Sequence, residues 1–489
     1  MSRGSIHHLD ARRFDRLVPE ALSNVELRGA LADATDTIRT RRRAALDGVD
    51  LQSLRARARA TKDDAIARLD EHLERFEREA VARGARVHWA ESAEQARDIV
   101  VELATRQGPG LAVKGKSMVT EEIGLNDALL DAGVVPVETD LGEWIQQLAG
   151  EPPSHILVPA IHKRRDEIRE LLARVLGRPM PEDPVGLTEI ARNELRDRFA
   201  RADVGITGAN FLVAETGSIL LVENEGNIRL TTSLPRIHIA VAGIEKIVPT
   251  LAELGPLVRV ITRSGTGQPI SCYQTLLTGP RTSENDDGPD ELHIVLVDNG
   301  RSGLLDHPRT AETLRCIRCS ACLNVCPVYR QIGGHAYGSV YPGPIGAILT
   351  PQIAGLEQAS QLPGASSLCG ACREVCPVDI DIPGVLLHLR ERTTEPGDVA
   401  GDPTTVHRVR AKRAAFRIWR RAMNSPRSYR AFGSIARLAA FIARSAPMLG
   451  SRIGPLAAWM DGRRPPRPPR RSFSEGTTAR RIARESRRS

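Results

Sequence analysis

Aromatic residues are scarce in this sequence and make up only 3% of its 489 positions. Aliphatic side chains must therefore build most of any buried core. No run of eighteen or more apolar residues occurs, so we predict no membrane-spanning helix. The first residues, MSRGSIHHLDARRFDR, are charged and contain no apolar stretch, so we expect no secretory signal and a cytoplasmic protein.

A dinucleotide-binding fingerprint is also missing. No G-x-G-x-x-G motif with a following acidic residue occurs, so the sequence predicts no flavin or nicotinamide site. Acidic residues are rare near the end of the chain, where residues 401–489 contain 22 Lys and Arg but only 4 Asp and Glu, a net charge of +18. Since the whole chain carries +8, the remainder carries −10, and the basic character belongs to the tail.

Composition divides the chain into four predicted parts. Residues 1–83 predict a helical lead-in, because apolar positions recur every three to four residues among many Arg and Glu. Residues 84–300 alternate apolar runs with helical segments, which is typical of an α/β domain with a largely parallel sheet. Residues 301–395 are rich in Cys, Gly and Pro, which predicts short helices, and residues 396–489 form a basic tail.

Individual elements of the α/β part can be predicted from periodicity. The segment AETGSILLVENEGN also reads as a hairpin, which would make the sheet mixed. The predicted helices are AEQARDIVVELATRQ, RRDEIRELLARVLG and LTEIARNELRDRFARA. The predicted strands are ARVHWA, LAVKG, VVPVE, HILVPA, VGITGANFLVAETGSILLV, IHIAVAG, LVRVIT and HIVLVDNG.

The basic tail predicts two amphipathic helices, at 408–423 and 434–449. Beyond them the proline-rich run PPRPPRR blocks regular structure, and we expect the last 25 residues to be disordered. The tail has few aromatic residues and no recognisable module, so we expect no nucleic-acid binding. Its charge favours a peripheral contact with the anionic inner face of a membrane.

The first of two cysteine motifs has the pattern C-x2-C-x2-C-x3-C-P. It consists of Cys316, Cys319, Cys322, Cys326 and Pro327. This spacing lets three thiolates hold one iron–sulfur cluster, while the fourth ligates a second cluster. Structural zinc sites favour two separated C-x2-C pairs, so the motif favours iron–sulfur over zinc.

The second motif repeats the first but lacks its leading cysteine. It contains Cys369, Cys372 and Cys376, and Ser366 stands where a fourth thiol would be expected. Exchange of the last cysteine between motifs then gives each cluster its ligands. Cluster 1 would take Cys316, Cys319, Cys322 and Cys376, and cluster 2 would take Cys326, Cys369 and Cys372.

The missing thiolate leaves three alternatives for cluster 2. In the first, the cluster contains only three irons. In the second, it contains four irons, and Ser366, water or another non-thiolate group occupies the open corner. In the third, a remote residue such as Cys272 completes the ligand set. A serine hydroxyl is a hard, high-pKa ligand and a poor substitute for thiolate, so a turn or cap role is favoured for Ser366. A small buried hydrophobe is the favoured role for Cys272. The insert residues His335, Tyr337 and Tyr341 are expected to serve packing.

Polar residues cluster at the predicted strand ends of the α/β part. Ligands of open α/β sheets bind beyond the carboxyl ends of the strands, so these residues are a candidate anion or substrate site. The alternative is a solvated rim with internal salt bridges. The candidate residues are Lys114, Lys116, Glu215, Thr216, Asn224, Glu225, Asn227 and Arg229.

Several long stretches resemble the bacterial lactate-utilisation iron–sulfur proteins. The resemblance spans roughly residues 110–385, and we expect it not to extend into the basic tail. The stretches are AVKGKSMVTEEIGLN, ETDLGEWIQQLAGEPPSHILVPAIHK, ITGANFLVAETGSILLVENEGNIRL, HIVLVDNGRS, CIRCSACLNVCPVYRQIGGHAYGSVYPGPIGAILTP and SSLCGACREVCPVDI.

This resemblance implies a lactate-utilisation (LUD) domain similar in fold to CoA transferases and sugar-phosphate isomerases, followed by an α-helical ferredoxin domain with two 4Fe-4S clusters. The family pattern has seven cysteine ligands, so the missing thiolate is expected. The resemblance also implies two companions in the oxidation of L-lactate to pyruvate, namely a cysteine-rich subunit similar to heterodisulfide-reductase subunits and a protein with a LUD domain alone.

The leading functional hypothesis is an electron-transfer subunit of an L-lactate oxidation complex, with catalysis shared with or located in a partner. Two clusters would form a short electron-transfer chain. Because the sequence predicts no organic cofactor site, the electron donor and the electron acceptor are expected on other proteins. One alternative is the oxidation of another 2-hydroxy acid, such as glycolate. Another is a LUD domain acting as a transferase or isomerase, with Glu215, Glu223 or Glu225 as the catalytic carboxylate.

Overall fold

The computed structural model describes residues 10–106, 108, 110–283, 286–395 and 403–445. Two compact units divide the chain, Met1–Thr405 and Val406–Ser489, and each is described by itself.

Four helices open the first unit, as the sequence predicts. The second and third have side-chain caps at their starts: the Asn24 side chain accepts the backbone N–H of Leu27, and Asp50 accepts that of Ser53. These helices pack against both later parts of the unit, since the second contacts helices of the cysteine region and the fourth contacts strands of the α/β region. They are α1 (Phe14–Ser23), α2 (Val25–Leu46), α3 (Leu51–Ala67) and α4 (Leu69–Ala82).

The α/β region contains ten strands in two sheets. Its strands are β1 (Arg86–Ala90), β2 (Leu111–Lys114), β3 (Val135–Glu138), β4 (Val204–Thr207), β5 (Phe211–Val213), β6 (Ser218–Glu223), β7 (Ile237–Gly243), β8 (Ile247–Val248), β9 (Tyr273–Leu277) and β10 (Glu291–Val297). The larger sheet has the order β1-β10-β7-β4-β2-β3, and all its pairs are parallel. Its central strands β4 and β7 are buried along their whole length, as expected for a parallel sheet covered on both faces.

Eight helices accompany these sheets. They are α5 (Ala93–Thr105), α6 (Met118–Glu122), α7 (Leu125–Asp131), α8 (Leu141–Ala149), α9 (Arg165–Leu176), α10 (Pro184–Arg201), α11 (Asn227–Ser233) and α12 (Leu254–Gly265). Helices α5 and α7 form one aliphatic core with β4, β7 and β10, whereas α4 packs on the other face of the sheet with the second sheet. The α/β architecture thus follows the predicted alternation of strands and helices.

The second sheet contains the predicted hairpin. Its order is β8-β5-β6-β9, in which β5–β6 and β6–β9 are antiparallel and β5–β8 is parallel. The hairpin therefore lies in a separate, mixed sheet, and the larger sheet stays parallel. Gly217 makes the turn with φ of 63°. A Cβ there would lie 2.2 Å from the backbone nitrogen of Ala80, so the turn must be glycine for the hairpin to pack on α4.

Two predicted strands are wrong. HILVPA forms a tight turn, because Nδ1 of His155 accepts the backbone N–H groups of Leu157 and Val158 at 3.1 and 3.0 Å. LVRVIT belongs to α12, where Leu257 and Val260 share one buried face. A short apolar run fits a strand and a buried helix equally well, and here the helical spacing of buried residues decides.

The cysteine region is helical throughout its described residues, 301–395. Its helices are short because glycine and proline interrupt them: α13 (Pro308–Ala311), α14 (Ala321–Val325), α15 (Tyr329–Ile332), α16 (Gly343–Ile353), α17 (Leu356–Ala359), α18 (Ala371–Val375) and α19 (Ile382–Arg392). Helix α14 of the first motif packs against α18 of the second, and α16 packs against α14 and α19.

Within residues 403–445, the part of the tail that the structure describes, there are two helices, α20 (Pro403–Met423) and α21 (Pro426–Ser445), which cover most of the two predicted amphipathic segments. The predicted disordered end, with PPRPPRR, lies outside the described residues. Within the part of the chain that the structure describes, no helix is long and apolar enough to cross a membrane.

Candidate metal centre and adjoining cavity

The two cysteine motifs meet through α14 and α18, which brings seven thiols together. All seven are free cysteines. Cys316 is partly buried and Cys369 is exposed. The buried thiols are those of Cys319, Cys322, Cys326, Cys372 and Cys376.

The thiols form two electrostatic groups. Burial raises the pKa of Cys319, Cys322 and Cys376, that of Cys376 to about 11, and the charge of Cys316 adds to each shift. Burial likewise raises the pKa of Cys372 to about 12, and Cys326 and Cys369 contribute. One group comprises Cys316, Cys319, Cys322 and Cys376, and the other comprises Cys326, Cys369 and Cys372. A weaker interaction between Cys322 and Cys372 joins the two groups.

Backbone N–H groups point at sulfur atoms in both motifs. Arg318 donates to Sγ of Cys316 at 3.4 Å, Tyr329 to Sγ of Cys326 at 3.5 Å, and Ile380 to Sγ of Cys376 at 3.4 Å. Such donors stabilise thiolates and tune iron–sulfur clusters. Buried, closely grouped thiols with fixed N–H donors are a donor set suited to soft metal clusters, so the residues present fit the predicted iron–sulfur groups.

Ser366 occupies the same backbone position as Cys316. Its Oγ accepts the backbone N–H of Leu368 at 3.1 Å, just as Cys316 accepts that of Arg318. Arg318 and Leu368 have left-handed φ angles of 60° and 56°. The two motifs therefore share one loop conformation, in which a hydroxyl replaces the leading thiol.

Two tyrosines of the insert contact the surroundings of the thiols. Tyr337 is fully buried beside Cys326 and Cys322, and within the described residues its hydroxyl has no hydrogen-bond partner. Tyr341 is buried as well, and its hydroxyl donates to Oε2 of Glu122 at 2.6 Å.

Cys272 is exposed, so the expectation of a buried hydrophobe is wrong. Its backbone N–H donates to Oδ1 of Asn224 at 3.0 Å, in the loop before β9 of the α/β region. The edge position explains the exposure, because β9 is the last strand of the small sheet.

His335 belongs to a group with Glu151 and His162, whose ligand atoms lie within 4.8 Å of one another. His162 bonds Glu151 at 2.9 Å, and His335 bonds the carbonyl oxygen of Pro152 at 2.7 Å. The Nζ of Lys163 also donates to Glu151 at 2.7 Å, so a cation already neutralises this carboxylate. The group reads as an ion-pair and hydrogen-bond network.

A cavity of about 230 Å³ lies beyond the carboxyl ends of β2 and β4, where ligands of parallel sheets bind. Four of the candidate anion-site residues line it: Lys116, Asn224, Glu225 and Asn227. Lys116 Nζ donates to the carbonyl of Leu157 at 2.9 Å. Burial beside Asp140 raises the pKa of Glu225 to about 7.

The other four candidates lie elsewhere. Glu215 accepts the backbone N–H of Leu251 at 2.9 Å, and Thr216 belongs to the hairpin turn with Gly217. Arg229 lies 4.8 Å from the centre of the Tyr273 ring.

Lys114 lies inside the protein, among carboxylates. Its Nζ lies 2.8 Å from Glu138 and 3.0 Å from Glu121. Burial opposes its charge, but these carboxylates outweigh burial and raise the pKa of Lys114. Burial and the charge of Glu138 raise the pKa of Glu143 well above its usual range, and within the described residues neither of its side-chain oxygens has a hydrogen-bond partner. Lys114 thus serves a buried ionic network rather than the cavity.

Two cationic side chains that were not predicted from the sequence also line the cavity. Lys246 and Arg318 line it, both are buried, and Arg318 stands between the first two cysteines. Arg318 donates to Oε1 of Glu245 at 3.2 Å. Its position inside the C-x2-C spacing was the one sequence signal that could have linked the cavity to the thiols.

Three family models match this chain. The LUD domain matches residues 73–297, the 4Fe-4S dicluster domain matches residues 312–380, and the C-terminal domain of lactate utilisation protein B matches residues 388–482. The predicted fold class is confirmed by these matches together with the observed sheets and helices. The expectation that the resemblance stops before the tail is wrong, since the third match covers most of it.

Curated relatives align over most of the chain. Lactate utilization protein B of Shouchella clausii is 42% identical over 96% of this chain and 97% of its own length. The protein of that name from Geobacillus thermodenitrificans is 44% identical over 94% and 96%. The uncharacterized electron transport protein YkgF of Escherichia coli is 45% identical over 79% and 82%.

A solved structure of a DUF162 family protein from Deinococcus radiodurans overlaps 47% of this chain and 98% of its own, at 19% identity and a TM-score of 0.27, which is too low to carry an argument. The curated relatives establish the family, because two of them are 42% and 44% identical to this chain over nearly the full length of both proteins. The chain therefore belongs to the lactate utilization protein B family.

Proposed function

We propose that this chain is the iron–sulfur electron-transfer subunit of a complex that oxidises L-lactate to pyruvate. The dicluster match and the names of the relatives support an iron–sulfur electron-transfer role in lactate utilisation. The observation that carries the proposal is the packing of α14 against α18, which brings the seven thiols of the two motifs together. Clusters bound there would supply one-electron transfer between partner proteins.

The proposed ligand sets exchange one cysteine between the motifs. Cys376 of the second motif joins the group of Cys316, and Cys326 of the first motif joins Cys369 and Cys372. The first set would hold a 4Fe-4S cluster with four thiolates. The second would hold either a 3Fe-4S cluster or a 4Fe-4S cluster with a non-cysteine corner near Ser366.

The proposed partners are a cysteine-rich redox subunit and a second LUD-domain protein. The support is membership of a family whose relatives are named for lactate utilization. Catalysis shared with or located in a partner is consistent with a chain whose identified redox residues are thiols.

Iron counts in paired cysteine variants test the ligand exchange. Cys326→Ala and Cys372→Ala should each remove cluster 2, so their double variant should lose no more iron than either alone. Cys326→Ala combined with Cys322→Ala should lose the iron of both clusters. If each ligand set came from a single motif, Cys326 and Cys322 would share a cluster. The Cys326→Ala and Cys322→Ala double variant would then lose one cluster, and the Cys326→Ala and Cys372→Ala double variant would lose both. Cys272→Ala is the matched control and should retain all iron.

Lactate-dependent reduction of the co-purified complex tests the function. Adding L-lactate anaerobically should produce the EPR signals of reduced clusters, and the Cys322→Ala complex should lose the signal of cluster 1. Glycolate replaces L-lactate in a parallel sample. Reduction by glycolate alone would favour the alternative 2-hydroxy acid, and no reduction by either would refute the proposal.

The transferase or isomerase alternative rests on Glu223 and Glu225, which line the cavity, whereas Glu215 does not. Both oxygens of Glu223 accept backbone N–H groups, from Ile228 and Arg229. A carboxylate held in this way is a weak candidate for a nucleophile, so Glu225 is the residue to substitute. Normal lactate-dependent reduction in Glu225→Gln would remove this alternative as an explanation of the lactate activity.

A further inference from the structure

The cavity lies where three parts of the first unit meet. Ser117 and Gly208 follow β2 and β4 of the parallel sheet, Val222 belongs to the small sheet, and Ile317 and Arg318 belong to the first cysteine loop. Its volume of about 230 Å³ is below the roughly 300–1,000 Å³ of sites for drug-sized ligands. A ligand of a few heavy atoms fits such a space and would lie against the loop between the first two thiols.

Arg318 presents hydrogen-bond donors in this cavity. It is 7% exposed, and only its Nη2 is engaged, with Oε1 of Glu245 at 3.2 Å. Among the described residues, its Nε and Nη1 atoms are buried without a hydrogen-bond partner. The ring of Tyr341 lies 4.9 Å from the guanidinium carbon and holds the group in place. A fixed, buried guanidinium with unused N–H groups is suited to binding a carboxylate.

Two lysines add positive charge to the same cavity. Lys246 is 6% exposed, and within the described residues its Nζ makes no hydrogen bond. Lys116 is partly engaged, since its Nζ donates to Leu157 and lies 3.7 Å from Asp140. Arg318 and Lys246 are therefore the cations with donors to offer a ligand.

The acidic residues of the cavity are largely occupied by protein donors. Oδ1 of Asp140 accepts the backbone N–H of Glu143 at the start of α8, and Glu223 accepts two N–H groups at α11. Glu225 accepts the N–H of Leu141, and its raised pKa of about 7 lets it be neutral near neutral pH. The polar groups left for a ligand are thus mainly cationic. The apolar residues Ile156, Leu157 and Ile261 complete the lining.

We propose that this cavity binds a small organic carboxylate, held by Arg318 and Lys246 at the loop of the first cysteine motif. The cations bind the carboxylate group, and the apolar residues contact its short carbon chain. The inference rests on the proposed function in its choice of ligand: a 2-hydroxy or 2-oxo monocarboxylate such as L-lactate or pyruvate matches the charge and the volume. Binding would bring such an anion into contact with Arg318, two residues from Cys316.

Calorimetric titration of the anaerobically purified holoprotein tests the proposal. Pyruvate and L-lactate are the probes, and lactamide is the neutral analogue of similar shape. We expect one saturable site for at least one carboxylate and at least roughly tenfold weaker binding of lactamide. Lys246→Met should weaken carboxylate binding by roughly tenfold to hundredfold, since it removes a charge-assisted contact. Arg229→Gln is the control, because Arg229 lies outside the cavity and its loss should leave binding unchanged.

A spectroscopic measurement separates a ligand site from a structural role. Pyruvate should change the EPR spectrum of the cluster held by Cys316 and not that of the cluster held by Cys369. It should also lower the reduction potential of the first cluster, because an added negative charge disfavours reduction. Lys246→Met should lose both responses to pyruvate while retaining the iron content of the parent chain. If Lys246→Met loses iron, Lys116→Met serves as the second variant, with the same responses expected to weaken.

Absence of saturable binding by both carboxylates would overturn the proposal, and so would equal binding by Lys246→Met with its iron intact. Equal affinity for lactamide would show that charge is not recognised and would also overturn it. These outcomes are independent of the proposed function, which fails instead when the complex shows no lactate-dependent reduction.

Discussion

Glu245 accepts a hydrogen bond from Arg318 at 3.2 Å, which joins a carboxylate of the α/β region to the loop between the first two cysteines. The other oxygen of Glu245 accepts from Arg301 at 2.7 Å, and Arg301 also bonds Glu122 at 2.7 Å. Tyr341 donates to Glu122 and packs on Arg318, so the contacts form a closed ring of buried groups. Because each member contacts two others, this ring couples the cysteine loop to the sheet.

Replacement of Arg301 should destabilise the first unit strongly. Arg301→Met leaves the buried carboxylates of Glu122 and Glu245 without their main cation, and breaking a buried pair costs about 3–5 kcal/mol. We expect a markedly lower melting temperature and reduced iron retention in anaerobic thermal denaturation. Arg236→Met is the control, because the Arg236 side chain is 65% exposed and its pair with Asp290 is screened by solvent. Similar melting temperatures for the two variants would contradict a stabilising role of the ring.

The pH dependence of stability should reveal the protonation of Glu143. Burial and neighbouring Glu138 raise its pKa in the folded chain above that in the unfolded chain. The stability that this group contributes is therefore complete below its unfolded pKa and is lost as the pH rises through its folded pKa. Glu143→Gln keeps the neutral form at all pH values, so its melting temperature should match the parent at about pH 4 and exceed it increasingly toward about pH 8.

The matched control for this experiment is Glu189→Gln, which removes a carboxylate from an exposed position of α10. The gain in melting temperature at high pH should be smaller in this variant than in Glu143→Gln. A pH-independent difference between Glu143→Gln and the parent would mean that Glu143 is ionised in the folded protein.

The shared loop conformation of the two cysteine motifs could be anticipated from sequence because it depends on local spacing. The left-handed residues Arg318 and Leu368 repeat one loop, and a repeated loop implies repeated geometry. The cavity could be anticipated only in part. Lys116 follows β2 of the parallel sheet, so its position beyond the carboxyl end of that strand follows from topology. Glu225 follows β6 of the second sheet, so its position at the cavity depends on how the two sheets pack.

The positions of the other site residues depend on contacts between parts of the chain that are distant in sequence. Lys114 is the last residue of β2, and its side chain lies among the buried carboxylates of Glu121 and Glu138. Lys116 lies two residues beyond the strand and lines the cavity. Lys246 and Arg301 lie far apart in sequence from Arg318, and no local pattern indicates that they meet it. The exposed position of Cys272 likewise depends on β9 being an edge strand.

Substitution of Ser366 tests whether the open corner of the second ligand set can be closed. Ser366→Cys places a thiol where the loop already matches that of Cys316, so we expect four irons in cluster 2 and a changed EPR signal for that cluster alone. Ser366→Ala should retain the iron of the parent chain, because a turn residue and not a ligand is lost. Ser302→Cys, which adds a thiol at an exposed position outside the cysteine motifs, is the control and should leave the signal unchanged. Iron loss in Ser366→Ala would identify the hydroxyl as a ligand.

Exposed aromatic residues of the tail should mediate contact with anionic membranes. Phe416 and Trp419 are 58% and 53% exposed on α20 and lie near Arg420 and Arg421. Apolar rings beside arginines favour the interface of an anionic bilayer, and raised salt weakens the attraction. The double substitution Phe416→Ser and Trp419→Ser in the full chain should reduce flotation with phosphatidylglycerol vesicles. Leu387→Ser, which changes an exposed residue of α19, should float like the parent chain. Equal flotation of the double variant and the parent would remove α20 from any membrane contact.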